Sequence, residues 1–272
     1  MTNVASSAFL ETALEAAKTV AHEAGALLRG RFYDAKSVSY KADASPVTDA
    51  DLLSEELIRG RLAKKFPDIG LEGEELGAAV DGNGLRWIID PLDGTRNYAG
   101  NIPHFAVNLA LAEGDEVLVG VTHDPMRQET FHAVKGGGAF LNGRPMKVSG
   151  RTAVAQCIIG LDLATMGPRA LAAIKLAQSL YPDLQSIRIF GSSALGLAYA
   201  AAGRLDVFLH HTLAPWDIAP GLLLVREAGG EVLDRLTQGR ASIQSTGAIA
   251  SSKRLLRQFL RLTQEQEWYT VA

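Results

Sequence analysis

Two aspartates, Asp90 and Asp93, flank Pro91 at the end of an apolar run, Trp87–Ile89. Pro91 has no N–H to give to a sheet and Gly94 permits a positive φ, so the chain is predicted to turn sharply here and to leave both carboxylates at the mouth of a sheet. Two anionic groups held close together repel each other unless a cation lies between them, and Mg²⁺ prefers oxygen ligands. The alternative is an Asp-Gly turn that only joins two strands.

Other acidic residues stand before and after this stretch. Glu74 and Glu75 lie upstream, and Asp217 lies far downstream, just before the apolar run Ile218–Val225. Taken alone, the glutamates are typical of a solvated loop, and Asp217 stands where a helix N-cap belongs. A cap uses one carboxylate oxygen and leaves the other free, so Asp217 could both cap a helix and bind a metal.

Two further segments have the residue types that begin helices. Thr48 and Asp51 have the spacing of a capping box, and Ser192 follows a glycine as an N-cap serine would. The first backbone N–H groups of a turn or helix have no intrahelical partner and attract anions. The N–H groups of Gly94 and Thr95, at the predicted turn, are donors of this kind and could attract an anion.

The composition is that of an ordinary globular protein. The chain has 272 residues, of which 47% are hydrophobic and 21% charged, and its formal net charge of −3 argues against a general nucleic-acid-binding surface. Cys157, the only cysteine, stands in an apolar stretch and is expected to be buried. No run approaches the length of a membrane span. A cytoplasmic enzyme is the default expectation.

The periodicity of apolar residues changes along the chain. Helices are predicted over 8–29 and from Thr48 to Phe66, followed by an antiparallel meander of four strands. Gly136–Gly143 lacks the context of a phosphate-binding loop and predicts a tight turn with a hairpin. After residue 152, strands and helices alternate, as in α/β proteins. We predict an N-terminal α+β part, 1–151, that carries the acidic motifs, and a C-terminal α/β part, 152–272, that completes the site.

The chain resembles the inositol monophosphatase family over roughly residues 8 to 262. The two signatures of the family match Trp87–Tyr98 and Trp216–Gly230, and Val47–Asp51, the two glutamates and Gly191–Ala194 fall in the family order. The resemblance implies a layered αβαβα sandwich of the inositol monophosphatase and fructose-1,6-bisphosphatase type, with the active site between the two parts. It also implies a Mg²⁺-dependent, lithium-sensitive phosphatase that forms a homodimer.

The resemblance assigns metal ligands. Glu74, Asp90, the carbonyl of Leu92 and Asp93 would bind a first Mg²⁺ ion. Asp90, Asp93 and Asp217 would bind a second, and Glu74 could hold a third. A main-chain ligand at Leu92 explains why the residue between the two aspartates need not be polar. Two or three Mg²⁺ ions could neutralise the phosphoryl oxygens, activate a water molecule and stabilise the leaving group.

The resemblance also assigns catalytic and substrate-binding residues. Asp51 would draw on the hydroxyl of Thr95, which accepts a proton from the attacking water, with Glu74 beside them. The phosphate would lie near Asp93, Gly94 and Thr95. The predicted contacts to the leaving alcohol are Gly191, Ser192, Ser193 and His210.

His210 departs from the pattern of the inositol-specific members, which carry a glutamate seven residues before the aspartate of the second signature. A histidine can bond a hydroxyl but lacks two acceptor oxygens, so strict specificity for inositol is not implied. The open alternatives are a fructose-1,6-bisphosphatase, a histidinol-phosphate phosphatase or a phosphoadenosine phosphatase. An alternative of another class is a non-catalytic relative that binds a protein or an RNA-containing partner.

Overall fold

The computed structural model describes residues 6–34, 36–41, 45–79, 84–163, 167–181 and 183–271. The helices in this part of the chain are α1 (Ser7–Gly30), α2 (Asp49–Lys65), α3 (Thr95–Ala99), α4 (Pro168–Leu180), α5 (Ser193–Ala201), α6 (Pro215–Glu227) and α7 (Lys253–Thr263). The strands are β1 (Val38–Tyr40), β2 (Pro46–Thr48), β3 (Gly70–Gly73), β4 (Gly77–Ala79), β5 (Leu85–Asp93), β6 (Ala106–Glu113), β7 (Glu116–Asp124), β8 (Glu129–Val134), β9 (Gly138–Leu141), β10 (Arg144–Pro145), β11 (Ile158–Asp162), β12 (Ser186–Arg188), β13 (Val207–His210), β14 (Gly230–Asp234) and β15 (Ala248–Ser252).

The larger sheet has the order β10-β9-β8-β7-β6-β5-β3-β4. From β5 to β10 each strand runs antiparallel to the next, which confirms the predicted meander. On its other side, β5 lies parallel to β3. Asn142 and Gly143, both at positive φ, form the tight turn between β9 and β10. The glycine-rich segment is therefore a hairpin, as predicted.

Strand β5 continues further than the sequence predicted. The apolar run ends at Ile89, but the strand does not, because pairing with β6 resumes at Asp93, opposite Ala106, after a register shift that begins beyond Asp90. Such an irregularity accommodates Pro91, which cannot donate to the ladder. The chain turns only at Gly94, and the bulge lies between the two aspartates.

The smaller sheet has the order β12-β11-β13-β15-β14. Strands β12, β11 and β13 are parallel, whereas β15 is antiparallel to both β13 and β14. The strands alternate with α4, α5, α6 and α7, as the sequence predicted for this half of the chain. The carboxyl ends of β11 and β13 meet at Asp162 and His210, which are register partners.

Three apolar clusters define five layers. One joins α1 and α2 to the larger sheet, one joins that sheet to α5, α6 and the smaller sheet, and one joins the smaller sheet to α4 and α7. The predicted αβαβα sandwich is confirmed. No helix within the described ranges is long and apolar enough to cross a bilayer.

The first turns of α2 and α6 each carry an aspartate that was predicted to belong to the site. Thr48 caps α2. Its backbone N–H and its hydroxyl both donate to the carboxylate of Asp51, and the predicted capping box is present. The expectation that Asp217 is an N-cap is wrong, since α6 begins at Pro215. Asp217 lies in the first turn, where its carboxylate accepts the N–H of Ala214 at 2.7 Å.

Candidate metal centre and active site

Three carboxylates, two of them buried and the third half-buried, meet where the two sheets face each other. Asp90 and Asp93 come from the bulged end of β5, and Asp217 comes from the first turn of α6. Each offers an oxygen within 4.8 Å of an oxygen on the other two. The structure therefore brings together three of the predicted metal ligands from positions far apart in the chain.

Asp93 is fixed by the amino end of α5. It accepts the N–H of Ser193 at 3.1 Å and that of Ala194 at 3.2 Å, and it accepts the hydroxyls of Ser192 and Ser193. These N–H groups belong to the first turn of a helix, where a carboxylate is favoured. The donors that the sequence assigned to a leaving alcohol bond Asp93 in the structure, and their contact with substrate remains a prediction.

Ser193 also links Asp93 to Asp217. Its hydroxyl oxygen lies 2.8 Å from the Asp93 carboxylate and 3.0 Å from that of Asp217. A hydroxyl carries one proton and can donate it to only one of the two. Two ionised carboxylates would have to share this one proton, whereas a proton on one acid or a bound cation would relieve the repulsion between them.

Burial raises the pKa of every member of this group. The pKa of Asp93 rises to about 6 and that of Asp217 to about 7, first because both are desolvated and then because neighbouring carboxylates repel their charge. The pKa of Asp90 is raised further above its ordinary range, by desolvation and then by Glu74, Asp93 and Asp217. Three acids that resist ionisation together form a site suited to a cation.

Glu74 and Glu75 lie beside this group but have a cation of their own. The ammonium of Lys41 lies 2.7 Å from a carboxylate oxygen of each. Burial raises the pKa of Glu74, Lys41 lowers it, and Asp51 and Asp93 raise it again. Glu74 is thus near enough to act on the aspartates electrostatically, and its role as a metal ligand remains a prediction.

Asp51 and Thr95 form the contact that the family resemblance implied, and the carbonyl of Leu92 shares the same hydroxyl. The hydroxyl of Thr95 lies 3.0 Å from a carboxylate oxygen of Asp51 and 3.0 Å from the carbonyl of Leu92. Asp51 also bonds the N–H and hydroxyl of Thr48, so it serves as the helix cap and as the partner of Thr95. Burial raises its pKa to about 6, against the lowering effect of these hydrogen bonds.

Gly94 lies where the turn after β5 packs against the loop before α5. It has a φ of 90°, and a Cβ there would lie 3.1 Å from the carbonyl oxygen of His104 and 3.3 Å from that of Gly191. Both the conformation and the space exclude a side chain. The turn after β5 and the loop before α5 are therefore in direct contact.

Sequence reasoning missed two residues that shape this contact. Asn97 donates from its amide to the carbonyls of His104, Phe190 and Gly191. Asp162 accepts the N–H groups of Phe190, Gly191 and Ser192 at 2.9, 2.7 and 3.2 Å. The available signals were an asparagine inside the first signature and an acid directly after a predicted strand.

His210 ends β13, with its ring partly buried. Its Nδ1 accepts the N–H of Thr212 at 3.1 Å, and desolvation lowers its pKa to about 4. The ring is therefore neutral near pH 7, with its proton on Nε2. His210 can offer one N–H donor where a glutamate would offer two acceptors.

The residues present fit a hard divalent cation. All three clustered side chains offer carboxylate oxygens, the donor type that Mg²⁺ prefers. The carboxylates repel one another, and none of the hydrogen bonds described for them comes from a cationic side chain. The carbonyl of Leu92 supplies a further oxygen at the same bulge. Thiolate and imidazole ligands, which softer metals prefer, are not part of the group.

Comparison with known proteins agrees with this chemistry. The profile of the inositol monophosphatase family matches residues 10–267. An inositol-1-monophosphatase of Mesorhizobium japonicum is 37% identical over 264 residues, 95% of this chain and 97% of that protein. A Nus factor SuhB of Xylella fastidiosa is 39% identical over 72% of each chain. The crystal structure of the extragenic suppressor protein suhB from Bartonella henselae, 33% identical, superposes with a TM-score of 0.89 and covers 93% of this chain and 99% of that one.

Proposed function

Because this chain belongs to the inositol monophosphatase family, we propose that it hydrolyses a small phosphate monoester, inositol monophosphate or a related sugar phosphate, with the help of two to three Mg²⁺ ions. The observation that carries the proposal is the meeting of Asp90, Asp93 and Asp217 within 4.8 Å of one another. Bound Mg²⁺ would neutralise the phosphoryl oxygens and make a water molecule more acidic. The chain itself must hold the ligands, accept the proton and orient the substrate.

Asp51 and Thr95 are suited to accept the proton. Above a pH of about 6 Asp51 is ionised and can take the Thr95 proton, which leaves the Thr95 oxygen free to accept one from water. The same hydroxyl otherwise bonds the Leu92 carbonyl. If that carbonyl becomes a metal ligand, the hydroxyl is directed to Asp51 alone.

The phosphate is proposed to lie against the turn at Gly94. The N–H groups of Gly94 and Thr95 begin α3 and can bond phosphate oxygens without adding a full positive charge. Asp162 and Asn97 hold the facing loop in place through its N–H and carbonyl groups. The site would thus close around the phosphate from both halves of the chain.

His210 is proposed to contact the leaving alcohol. As a neutral donor it would favour an alcohol that presents an acceptor oxygen, and it gives less selectivity for a ring of donor hydroxyls. This supports a substrate class wider than inositol monophosphate. By resemblance, we also propose that the protein is a lithium-sensitive, cytoplasmic homodimer.

The test of this function is phosphate release with and without Mg²⁺. The substrates are inositol monophosphate, fructose 1,6-bisphosphate, histidinol phosphate and phosphoadenosine phosphate, compared by kcat/KM. We expect release that requires Mg²⁺ for at least one of them. Absence of release from the whole panel would reject the phosphatase and favour a non-catalytic, partner-binding relative.

The substitution His210→Glu tests the contact with the alcohol. We expect the ratio of kcat/KM for inositol monophosphate to that for other sugar phosphates to rise by about 3- to 30-fold, as one buried or charged hydrogen bond allows. Hydrolysis of an aryl phosphate should barely change, because that leaving group has no hydroxyl to recognise. A flat substrate ratio, or equal losses on every substrate, would contradict the assignment.

A further inference from the structure

Helix α6, which carries Asp217, contains a proline. Pro220 has no N–H, so the carbonyl of Trp216, four residues earlier, loses its normal helical partner. A buried carbonyl without a hydrogen-bond partner is costly. If the helix opened at Trp216, the residue that follows Trp216 could move. That residue is Asp217. Something outside the helix must therefore hold this turn.

Asn108 on β6 supplies the missing donor. Its side-chain amide nitrogen lies 2.8 Å from the carbonyl oxygen of Trp216 and 3.3 Å from that of Asp217. The side chain is fully buried. Its two N–H groups thus bridge two adjacent carbonyls on the turn that Pro220 has opened.

Thr122 on β7 fixes which way the amide points. Its hydroxyl donates to the amide oxygen of Asn108 at 2.6 Å, and it is also fully buried. The two carbonyls of α6 require the NH₂ group of Asn108 on their side, which leaves the oxygen for Thr122. Without that hydroxyl the amide oxygen would be buried with no donor.

The sheet places this pair in line with the metal site. Asn108 stands opposite Asp90 on β5 and opposite Thr122 on β7, so all three side chains lie on the same face in one row across the sheet. Gly120, two residues before Thr122, lets α6 come close, since a Cβ there would lie 3.0 Å from the carbonyl oxygen of Pro220. Helix α6 therefore rests directly on this row.

We propose that Asn108, oriented by Thr122, is a positioning residue that replaces the helical bond lost at Pro220 and thereby holds Asp217 against Asp90 and Asp93. Asn108 acts through the main chain of α6 and does not touch the substrate. The inference rests on the proposed function in one respect, that the three aspartates bind a divalent cation. It adds that the affinity for a cation bound by Asp217 depends on the neutral amide of Asn108, which lies on the strand next to β5.

The test is a titration with Mn²⁺, in which the electron paramagnetic resonance signal of the free ion reports binding without any turnover. We expect Asn108→Leu to weaken the site that includes Asp217 by about 10-fold, the usual cost of losing an outer partner of a ligand. Thr122→Val, which keeps the shape, should weaken it by about 3-fold. Asn108→Leu should have no further effect in a protein that already carries Asp217→Asn.

The matched control is Thr130→Val. Thr130 is a buried threonine of the same sheet whose hydroxyl bonds His22 and His123, and it should leave Mn²⁺ affinity unchanged. A second check is Pro220→Ala, which returns an N–H to the Trp216 carbonyl. In that background Asn108→Leu should weaken binding less than 3-fold.

The outcomes separate the two proposals. If the unaltered protein binds no Mn²⁺, the metal site itself is rejected, and this inference with it. If it binds Mn²⁺ and both Asn108→Leu and Thr122→Val bind equally well while melting at lower temperature, Asn108 is only a packing residue and the metal site stands. Should Asn108→Leu fail to fold, the isosteric Thr122→Val decides alone, and an unchanged affinity overturns the proposal.

Discussion

Two acidic clusters lie side by side, and they differ in the groups that neutralise their charge. The outer cluster, Glu74 and Glu75, shares the ammonium of Lys41. The inner cluster, Asp90, Asp93 and Asp217, is bonded in the described part of the chain by neutral groups only, backbone N–H groups and serine hydroxyls. The Lys41 ammonium therefore offsets part of the negative charge of the outer cluster, although burial still raises the pKa of both glutamates. The inner cluster has no such partner in these bonds and needs a proton or an added cation.

The contrast shows why burial alone does not identify a metal site. Glu55 is as buried as Asp90, yet it accepts the guanidinium of Arg59 at 2.7 Å and the N–H groups of Glu75 and Leu76. Its charge is balanced within the chain. The inner cluster combines burial with uncompensated repulsion, and that combination indicates an external ion.

The largest expected effect is that of Asp93→Asn. The change keeps the size of the side chain, but it turns one of the two oxygens that accept bonds from α5 into an NH₂ donor. It also removes one negative charge from the inner cluster, so bound cations lose part of their neutralisation. We expect kcat to fall by at least about 10³-fold, the order of a lost transition-state stabiliser. The measurement is phosphate release at saturating Mg²⁺ by protein shown to be folded.

Asp206→Asn is the matched control for that loss. Asp206 is equally buried, but it has its own cation, Arg151 at 2.7 Å, and also bonds the N–H of Ile158. Its substitution should lower thermal stability and leave kcat nearly unchanged well below the melting temperature. Similar turnover for Asp93→Asn and the unaltered protein would remove the inner cluster from the chemistry.

Sequence reasoning found the parts of the site that are encoded locally. The Thr48–Asp51 cap joins two residues three positions apart, so residue type and spacing predicted it. The same reasoning ended β5 at Ile89 and did not predict the bulge between Asp90 and Asp93. The family resemblance then implied the contact between Asp51 and Thr95, which no local pattern predicts, and the structure contains it. The start of α6 was misjudged, because Pro215 at the first position was overlooked in favour of the aspartate after it.

The residues that were missed act across the chain. Lys41 meets Glu74 from another segment, Asp162 bonds a loop 28 to 30 residues later, and Asn108 reaches α6 over an interval of more than a hundred residues. Each is a single polar residue without a distinctive neighbour. Only the packing of the two sheets shows what it contacts, and no spacing in the sequence reports that.

A second, smaller effect is the pH dependence of stability without metal. The pKa of Asp217 is raised from 3.8 to about 7, so the folded state holds a proton that the unfolded state releases at lower pH. Its contribution to stability is present below pH 4 and is lost as the pH rises through about 7. In EDTA, the melting temperature relative to Asp217→Asn should therefore fall by a few degrees between pH 5 and 8.

Added Mg²⁺ should abolish this fall, because the ion stabilises the ionised form of the cluster. Comparison with Asp217→Asn cancels the contribution of the buried histidines, His104, His123, His132 and His211, whose pKa values desolvation lowers to about 4. Those residues act in the opposite direction, since they lose stability as the pH falls. A pH-independent difference between the two proteins would mean that the cluster is already compensated within the fold.

The smallest expected effect is on the outer cluster, through Lys41→Met. If Glu74 binds an ion, that ion competes with the Lys41 ammonium, so removal of the ammonium should strengthen divalent cation binding. The pair is partly exposed, and the exchange of such an ion pair changes affinity by about 2- to 5-fold. Lys135→Met is the control, because it breaks a surface pair of the same length with Glu116 and should leave binding unchanged. A Mn²⁺ titration that gives equal affinities for both variants would leave Glu74 as the partner of Lys41 alone and confine the metal site to the inner cluster.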